Sequence, residues 1–247
     1  IKGDASFRKF YRNTKKNSII VFASKNKNKN LLIYDAINKI LIKNNIIAPK
    51  LLNEDYRKNY IEIEDLGNKT IYQEFACNNK NHYLIFKKAI KVLNKVQLIK
   101  DKKVKNFRNE FYEIKNYENK ILLDEVKLFS KWYVPKKLTK KKIDIFNYKF
   151  SKEVKSLLSK LNFKNDTFVH RDFHVTNLMY YKKKIGIIDT QDALIGNKAY
   201  DLASIIDDVR YQTSNLLKDK IYNYFLKTNK KIDIDKFKND FDILSVL

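Results

Sequence analysis

The residues best able to do chemistry lie together in Val169-His170-Arg171-Asp172-Phe173-His174-Val175-Thr176-Asn177-Leu178, followed by Ile187-Ile188-Asp189. The spacing is H-x-D-x-x-x-x-N, then an Asp twelve residues after the Asn at the end of an apolar run. These residue types suit phosphoryl transfer. One carboxylate (Asp172) orients an attacking hydroxyl, while an amide oxygen (Asn177) and a second carboxylate (Asp189) hold Mg²⁺ on nucleotide phosphates. Hard oxygen donors suit Mg²⁺, which keeps some water and takes its remaining ligands from phosphates. A lone H-x-D arises easily by chance, and Asp and Asn often only cap turns. Four specified residues joined by a hairpin outweigh that reading.

The hairpin supplies the geometry. Residues 177–181 and 185–188 read as short strands joined at Lys182-Lys183-Lys184. A turn centred near Lys183 sets Asn177 and Asp189 six residues to either side, facing each other. Directly opposed residues have Cβ atoms roughly 5 Å apart, within reach of one ion.

The elements that must position this hairpin form two blocks. Strand patterns at residues 6–12 and 18–23 flank the polar turn Asn13-Thr14-Lys15-Lys16-Asn17, and Tyr60-Ile61-Glu62-Ile63-Glu64 alternates like a third strand. A helix is expected over about 31–43, with Pro49 punctuating its exit. After Asp65-Leu66-Gly67 the pattern turns helical, with helices expected over about 82–97, 107–132, 145–161, 200–211 and 218–228. The expected fold is α+β: a small β-rich lobe over residues 1–67 and a larger, mainly helical lobe over 68–247. A cleft between such lobes is a favoured ligand site.

Composition narrows the function classes. The 247 residues carry 52 Lys+Arg against 28 Asp+Glu, a net charge of +24. The basic residues are spread along the chain among abundant Asn and Ile. Clusters such as Lys25-Asn26-Lys27-Asn28-Lys29 and Lys140-Lys141-Lys142 read as solvated loops without interleaved aromatics, so a nucleic-acid partner is not expected. One cysteine, Cys77, excludes an intrachain disulfide and fits a reducing compartment. No segment reaches the roughly 18 to 20 apolar residues of a membrane span. A cytoplasmic location is expected, with no membrane partner. The chain opens at Ile1 and closes inside what reads as an amphipathic helix, so both ends are expected to continue.

Further motifs complete the set. Gly3-Asp4-Ala5-Ser6-Phe7-Arg8 precedes the first strand, and its backbone N–H groups with Ser6 could bond phosphate oxygens. Glu64-Asp65-Leu66-Gly67 ends a strand at the block boundary, where extended backbone can meet an adenine edge. Tyr200-Asp201-Leu202-Ala203-Ser204 opens a helix, a place where the dipole favours Asp in any case.

In this order the segments resemble the aminoglycoside-phosphotransferase and choline-kinase superfamily, whose fold is protein-kinase-like and two-lobed. Within it the chain is most similar to the branch of cell-wall amino-sugar kinases that phosphorylate N-acetylmuramate and N-acetylglucosamine at the anomeric C1. That narrower likeness rests on Gly3–Arg8, Ile63–Gly67, Leu123–Tyr133, His170–His174 and Ile188-Asp189-Thr190-Gln191-Asp192-Ala193. By pattern alone Leu128, Phe129 and Trp132 would be a core stripe.

The resemblance implies Asp172 as catalytic base and Asn177 and Asp189 as Mg²⁺ ligands. It implies the Gly3–Arg8 loop, with Gly3, Asp4, Ala5 and Ser6, over the ATP phosphates, and the Glu64 to Leu66 backbone at the adenine. His170 and Asp201 would brace the catalytic loop, and Arg171, His174, Gln191 and Asp192 are the candidates for meeting the acceptor. Two departures stand out. The strand Ile19–Ala23 lacks the phosphate-binding lysine of the kinase pattern, leaving Lys25 just beyond it as a candidate, and the next helix offers Asp35 but no Glu. Thr190 follows the metal-binding Asp where Phe or Gly is usual.

The expected activity is ATP- and Mg²⁺-dependent phosphorylation of a small-molecule sugar, at the anomeric hydroxyl of an N-acetylated amino sugar in cell-wall recycling. The alternatives are a kinase for choline, ethanolamine or an aminoglycoside, and a nucleotide-binding pseudokinase. Intact Asp172, Asn177 and Asp189 speak against the last.

Overall fold

The structure, a computed structural model, describes residues 7–77 and 81–247. Its first part is an antiparallel sheet built from β1 (Lys9–Asn13), β2 (Ser18–Phe22), β3 (Leu51–Asp55) and β4 (Tyr60–Glu64) in the order β1-β2-β4-β3. Between β2 and β3 runs α1 (Lys29–Lys43). This helix has two apolar faces. Leu31 and Tyr34 join Val21, Ile61 and Ile63 under the sheet, whereas Ile37, Ile40 and Leu41 belong to the main core. One helix therefore fixes the sheet against everything that follows.

The second part is mainly helical. It contains α2 (Ile71–Cys77), α3 (His82–Gln97), the strand pair β5 (Lys103–Lys105) and β6 (Phe111–Glu113), α4 (Asn119–Trp132) and α5 (Lys140–Leu158). Then come β7 (Thr167–Val169), β8 (Leu178–Tyr181), β9 (Lys184–Ile187) and β10 (Leu194–Gly196), followed by α6 (Tyr200–Ile206), α7 (Asn215–Thr228) and α8 (Ile234–Val246). Helix α3 is buried along Phe86, Ala89, Ile90, Leu93 and Val96, the helical spacing expected of a core face. Among the described residues no helix is long and apolar enough to cross a membrane.

Sequence expectations and structure diverge at several elements, three of which have a clear local cause. The helix expected over 107–132 begins only at Asn119, because β5 and β6 pair across a turn at residues 106–110. The Asn106 side chain accepts from the amides of Arg108 (2.9 Å) and Glu110 (3.2 Å), and Asn109 takes φ 61°. Such local bonds compete with a helix. The helix expected to reach Tyr211 stops at Ile206, where Asp208 turns its side chain onto backbone amides. Strand β3 was absent from the sequence reading, its pattern being broken by polar Asn53, Glu54 and Asp55 on a sheet edge.

Two glycines bear on the site. Gly67 has φ +89°, a conformation L side chains rarely adopt, immediately after the strand-to-helix crossing. At Gly186 on β9, a Cβ would lie 3.0 Å from both Ile47 Cγ2 and Leu66 Cδ1. The sheet's exit segment and the hairpin can touch only because that Cβ is missing. Gly186→Val should therefore overpack this crossing and cost about 1–3 kcal/mol. It should lower the urea midpoint of unfolding without changing the slope. An unchanged midpoint would mean that Ile47 and Leu66 swing aside freely.

Candidate active site

Both chemical motifs hang from one small frame. β7 pairs with β10, with Val169 opposite Leu194, and β8 pairs with β9. The loop 170–177 leaves β7 and enters β8, while the loop 188–193 leaves β9 and enters β10. Four short strands thus clamp both loops at both ends.

The hairpin register differs by one residue from that expected. Leu178 opposes Ile187 and Tyr181 opposes Lys184, so the turn is the two-residue Lys182-Lys183, with φ 49° and 63°. Positive φ at both central positions is the turn whose twist suits a hairpin. The Asn177 carbonyl accordingly accepts from the Ile188 amide at 3.0 Å, and Asp189 lies one residue beyond the opposed pair. A one-residue slip ordinarily turns a side chain to the other face. Here Asp189 takes φ 62° and ψ 45°, leaving the strand, and its carboxylate lines the same cavity as Asn177 and Asp172.

Buried carboxylates hold the 170–177 loop from α6 and its exit. Asp201, 1% exposed, accepts from the His170 amide at 2.7 Å and the Arg171 amide at 3.0 Å. Burial pushes its carboxyl up to about 7 against the pull of those two amides. Asp208, also buried, accepts from the Val175 amide at 3.0 Å. Arg171 is thereby held at φ 75°. Its side chain pairs with Glu125 of α4 and donates to the Asp192 carbonyl at 3.2 Å.

The two histidines act through others. His170 is fully buried, and burial lowers its pKa to about 4, so it is neutral. Nε2–H donates to the Ile188 carbonyl at 3.1 Å, tying one loop to the other. His174 is also lowered, by burial first and then Arg210. Its Nε2 lies 3.3 Å from Asn177 Nδ2 and its Nδ1 2.9 Å from Thr176 Oγ1. A neutral ring accepting at Nε2 and donating at Nδ1 satisfies both. Asn177 Nδ2 also reaches the Asp172 carbonyl at 3.2 Å. With the nitrogen so engaged, the amide oxygen is the atom left for a cation.

These groups line a cavity of about 800 Å³ between the sheet and the helical part. Its walls include Arg8, Glu64, Leu66, Asp172, His174, Asn177 and Asp189. The side chains of Asp172 and Asp189 are 44% and 36% exposed, so both carboxylates open onto it. Burial raises the Asp172 carboxyl, with His174 opposing and Asp189 adding to the shift.

Of the other expected site residues, Glu64 and Leu66 line the cavity, with the Glu64 and Asp65 amides already bonded to the carbonyls of Lys50 (2.8 Å) and Asn17 (3.1 Å). Gly3, Asp4, Ala5 and Ser6 lie outside the described residues. Lys25 is exposed on a one-turn helix and is not among the cavity-lining residues. Asp35 pairs with Lys39 at 2.7 Å. Gln191 and Asp192 lie off the cavity. Gln191 Nε2 donates to Asp192 Oδ2 at 2.5 Å, and Arg171 and Asp192 are close enough to perturb the Asp172 carboxyl. Thr190 is fully buried and donates to Asn38 of α1 at 2.7 Å, which locks the Asp189 loop to the helix under the sheet.

Two residues escaped the sequence reading as site components, Asp208 and Glu125, whereas Arg8 closes the Gly3–Arg8 loop expected over the phosphates. Arg8 pairs with Asp189 and donates to Gln191 Oε1 at 2.5 Å.

A sheet packed on a helical part, with two carboxylates and an amide converging on the cleft between them, defines a kinase-like phosphotransferase architecture. The chain belongs to the phosphotransferase enzyme family, whose model matches residues 1–230. It is 28% identical over 209 residues to the N-acetylmuramate/N-acetylglucosamine kinase of Neisseria meningitidis serogroup B, covering 83% of this chain and 59% of that protein. The namesake kinase of Pseudomonas putida is 25% identical, covering 83% and 58%. The chain thus spans under two thirds of these curated relatives. In fold it matches the ADP-bound aminoglycoside phosphotransferase APH(2'')-Ib with a TM-score of 0.68 at 13% identity, over 98% of this chain and 79% of that one.

The Asp201 brace makes a testable prediction. Asp201→Asn replaces one acceptor oxygen with an NH₂ facing a backbone N–H, and should cost about 1–3 kcal/mol. Its pKa is raised on folding, so between about 3.8 and 7 the folded chain binds more protons and stability falls as pH rises. Denaturant melts across that window should show a smaller pH-dependent loss in Asp201→Asn. An identical profile would remove Asp201 as the titrating group.

Proposed function

We propose that this chain transfers the γ-phosphoryl group of ATP to the anomeric hydroxyl of an N-acetylated amino sugar, with Mg²⁺ on the nucleotide. The observation carrying this reading is the convergence of Asp172, Asn177 and Asp189 on one cleft that Leu66 also lines. The sugar assignment is supported by the two relatives named above and by the Leu123–Tyr133 and Gln191-Asp192 motifs.

The donor set fits Mg²⁺. Asp189 and Asn177 offer hard oxygens, and no described cluster of three or more His, Cys, Asp or Glu could hold an ion by itself. That suits an ion which completes its shell from phosphates and water. When bound, Mg²⁺ would offset the charge of the nucleotide phosphates. The Glu64 and Asp65 amides are taken by internal carbonyls, so Leu66 N–H is the amide we assign to the adenine edge.

In the transfer, the sugar hydroxyl oxygen forms a bond to the γ-phosphorus as the bond from phosphorus to the β–γ bridging oxygen breaks, releasing ADP. Asp172 orients the hydroxyl and takes its proton late. Little covalent work falls on the protein, so positioning dominates. An anomeric hydroxyl is more acidic than an ordinary alcohol and asks little of the base. His174 and Asp201 contribute by fixing Asn177 and the loop that carries Asp172.

Asp172→Asn should lower kcat by roughly 10²–10⁴-fold, the range for a general base, and leave ATP binding nearly intact. A variant whose main defect is a raised KM for ATP would contradict the assignment.

The acceptor can be tested separately. Labelled ATP would be offered with N-acetylmuramate, N-acetylglucosamine, their 1-O-methyl glycosides, choline and kanamycin. The free sugars should be labelled and the methyl glycosides should not, because only C1 is blocked in them. Labelled methyl glycosides, or preference for choline or kanamycin, would overturn the C1 assignment.

A further inference from the structure

The proposed metal ligand Asp189 already has a cation beside it. The Arg8 guanidinium pairs with its carboxylate through Nη2 and donates to Gln191 Oε1 through Nη1 at 2.5 Å. Arg8 is 7% exposed yet lines the cavity. The rings of Phe7, Phe10 and Tyr34 surround it, with centroids 5.9, 5.5 and 5.9 Å from its Cζ. Burial pushes the Tyr34 hydroxyl up to about 12, so this ring adds no negative charge at neutral pH.

The residue type is informative. In a chain with 46 lysines and six arginines, a site needing only positive charge would ordinarily hold lysine. Among the described cavity-lining residues there is no lysine, but there are three arginines: Arg8, Arg12 and Arg210. Arg12 is held at the rim by Asp65 (2.6 Å) and the Gly67 carbonyl (2.8 Å), and Arg210 by Asp208 (3.4 Å). Arg8 differs in that it pairs with Asp189, the carboxylate a nucleotide-bound ion would claim. A planar guanidinium that bridges two acceptors can do the same to two phosphate oxygens. The strand Ile19–Ala23 carries no lysine to perform that task, and Lys25 is exposed on a one-turn helix.

We propose that Arg8 is the phosphate-binding cation of this site, and that it competes with the metal for the Asp189 carboxylate. This rests on the reading of the cleft as an Mg²⁺-nucleotide site. When the nucleotide enters with its ion, Asp189 exchanges the guanidinium for the ion and Arg8 exchanges the carboxylate for phosphate oxygens. Each charge keeps an opposite partner, so neither Arg8 nor Asp189 is left buried and unpaired. Gln191 holds the guanidinium in its plane, a task distinct from meeting the acceptor.

The test uses the full chain, with Mn²⁺ binding followed by electron paramagnetic resonance and MgADP binding by calorimetry. Arg8→Gln uncovers Asp189, so Mn²⁺ alone should bind several-fold more tightly. MgADP should bind about tenfold or more weakly, the scale of one lost charge-assisted hydrogen bond. These changes have opposite signs, which general damage to the fold would not produce. Arg8→Lys keeps a charge at Asp189 without the planar fork. It should leave Mn²⁺ binding at the wild-type level and still weaken MgADP. Wild-type MgADP affinity in both variants would remove Arg8 from the phosphates while leaving the nucleotide site standing. Mn²⁺ binding that Arg8→Gln leaves unchanged would overturn the exchange at Asp189. Absence of MgADP binding to the wild-type chain would overturn the nucleotide reading, and this inference with it.

Discussion

The site depends on a buried carboxylate that accepts backbone amides. Asp201 takes the N–H groups of His170 and Arg171, and Asp208 takes that of Val175. A loop entering a core exposes amides that cannot be left unpaired. Carboxylates from the α6 region meet that need without another strand, so the loop keeps the irregular shape that presents Asp172 to the cavity. Desolvation raises Asp201 toward neutral pH, and the same two amides limit the rise. The loop's shape and the ionisation of its anchor are one electrostatic problem.

A second constraint runs between the sheet and the helical part. Helix α1 packs into both cores, and its Asn38 accepts from Thr190 while donating to the Pro49 carbonyl at 3.0 Å. Arg8, just before β1, reaches Asp189 and Gln191 on the same loop. The 188–193 loop is therefore fixed from above by the sheet part and from below by β9, β10 and His170. The Thr at 190 has a structural use here. Its hydroxyl makes a bond to α1 that Phe or Gly could not.

The proposed division of labour follows from these constraints. Residues proposed to touch nucleotide or acceptor are few, and most of the polar side chains nearby hold them in place. His174 orients an amide, His170 joins two loops, and Glu125 carries Arg171 away from the cavity. Burying these polar groups is tolerable because most of their polar atoms are paired, His170 Nδ1 and Arg171 Nε being exceptions.

Much of this was legible in the sequence. The H-x-D-x-x-x-x-N run, the following Asp and the hydrophobic periodicity of α3 depend on neighbours a few residues apart, and residue order alone determines such features. The hairpin could be read too, but its register could not. Whether two or three lysines make the turn is decided by twist, and the difference of one residue moved Asp189 off the pair with Asn177. The α4 start was lost for a related reason, since Asn106 bonds amides that a helical pattern assumes are taken. Only the tertiary structure decided the long-range pairings. Arg8 with Asp189 spans 181 residues and Thr190 with Asn38 spans 152. No local propensity encodes a bond between groups that far apart in sequence. The sequence determined which chemical groups exist and which local elements carry them. The packing of α1 and α6 determined which of those groups meet, because burial leaves each polar atom only the partners the fold brings to it.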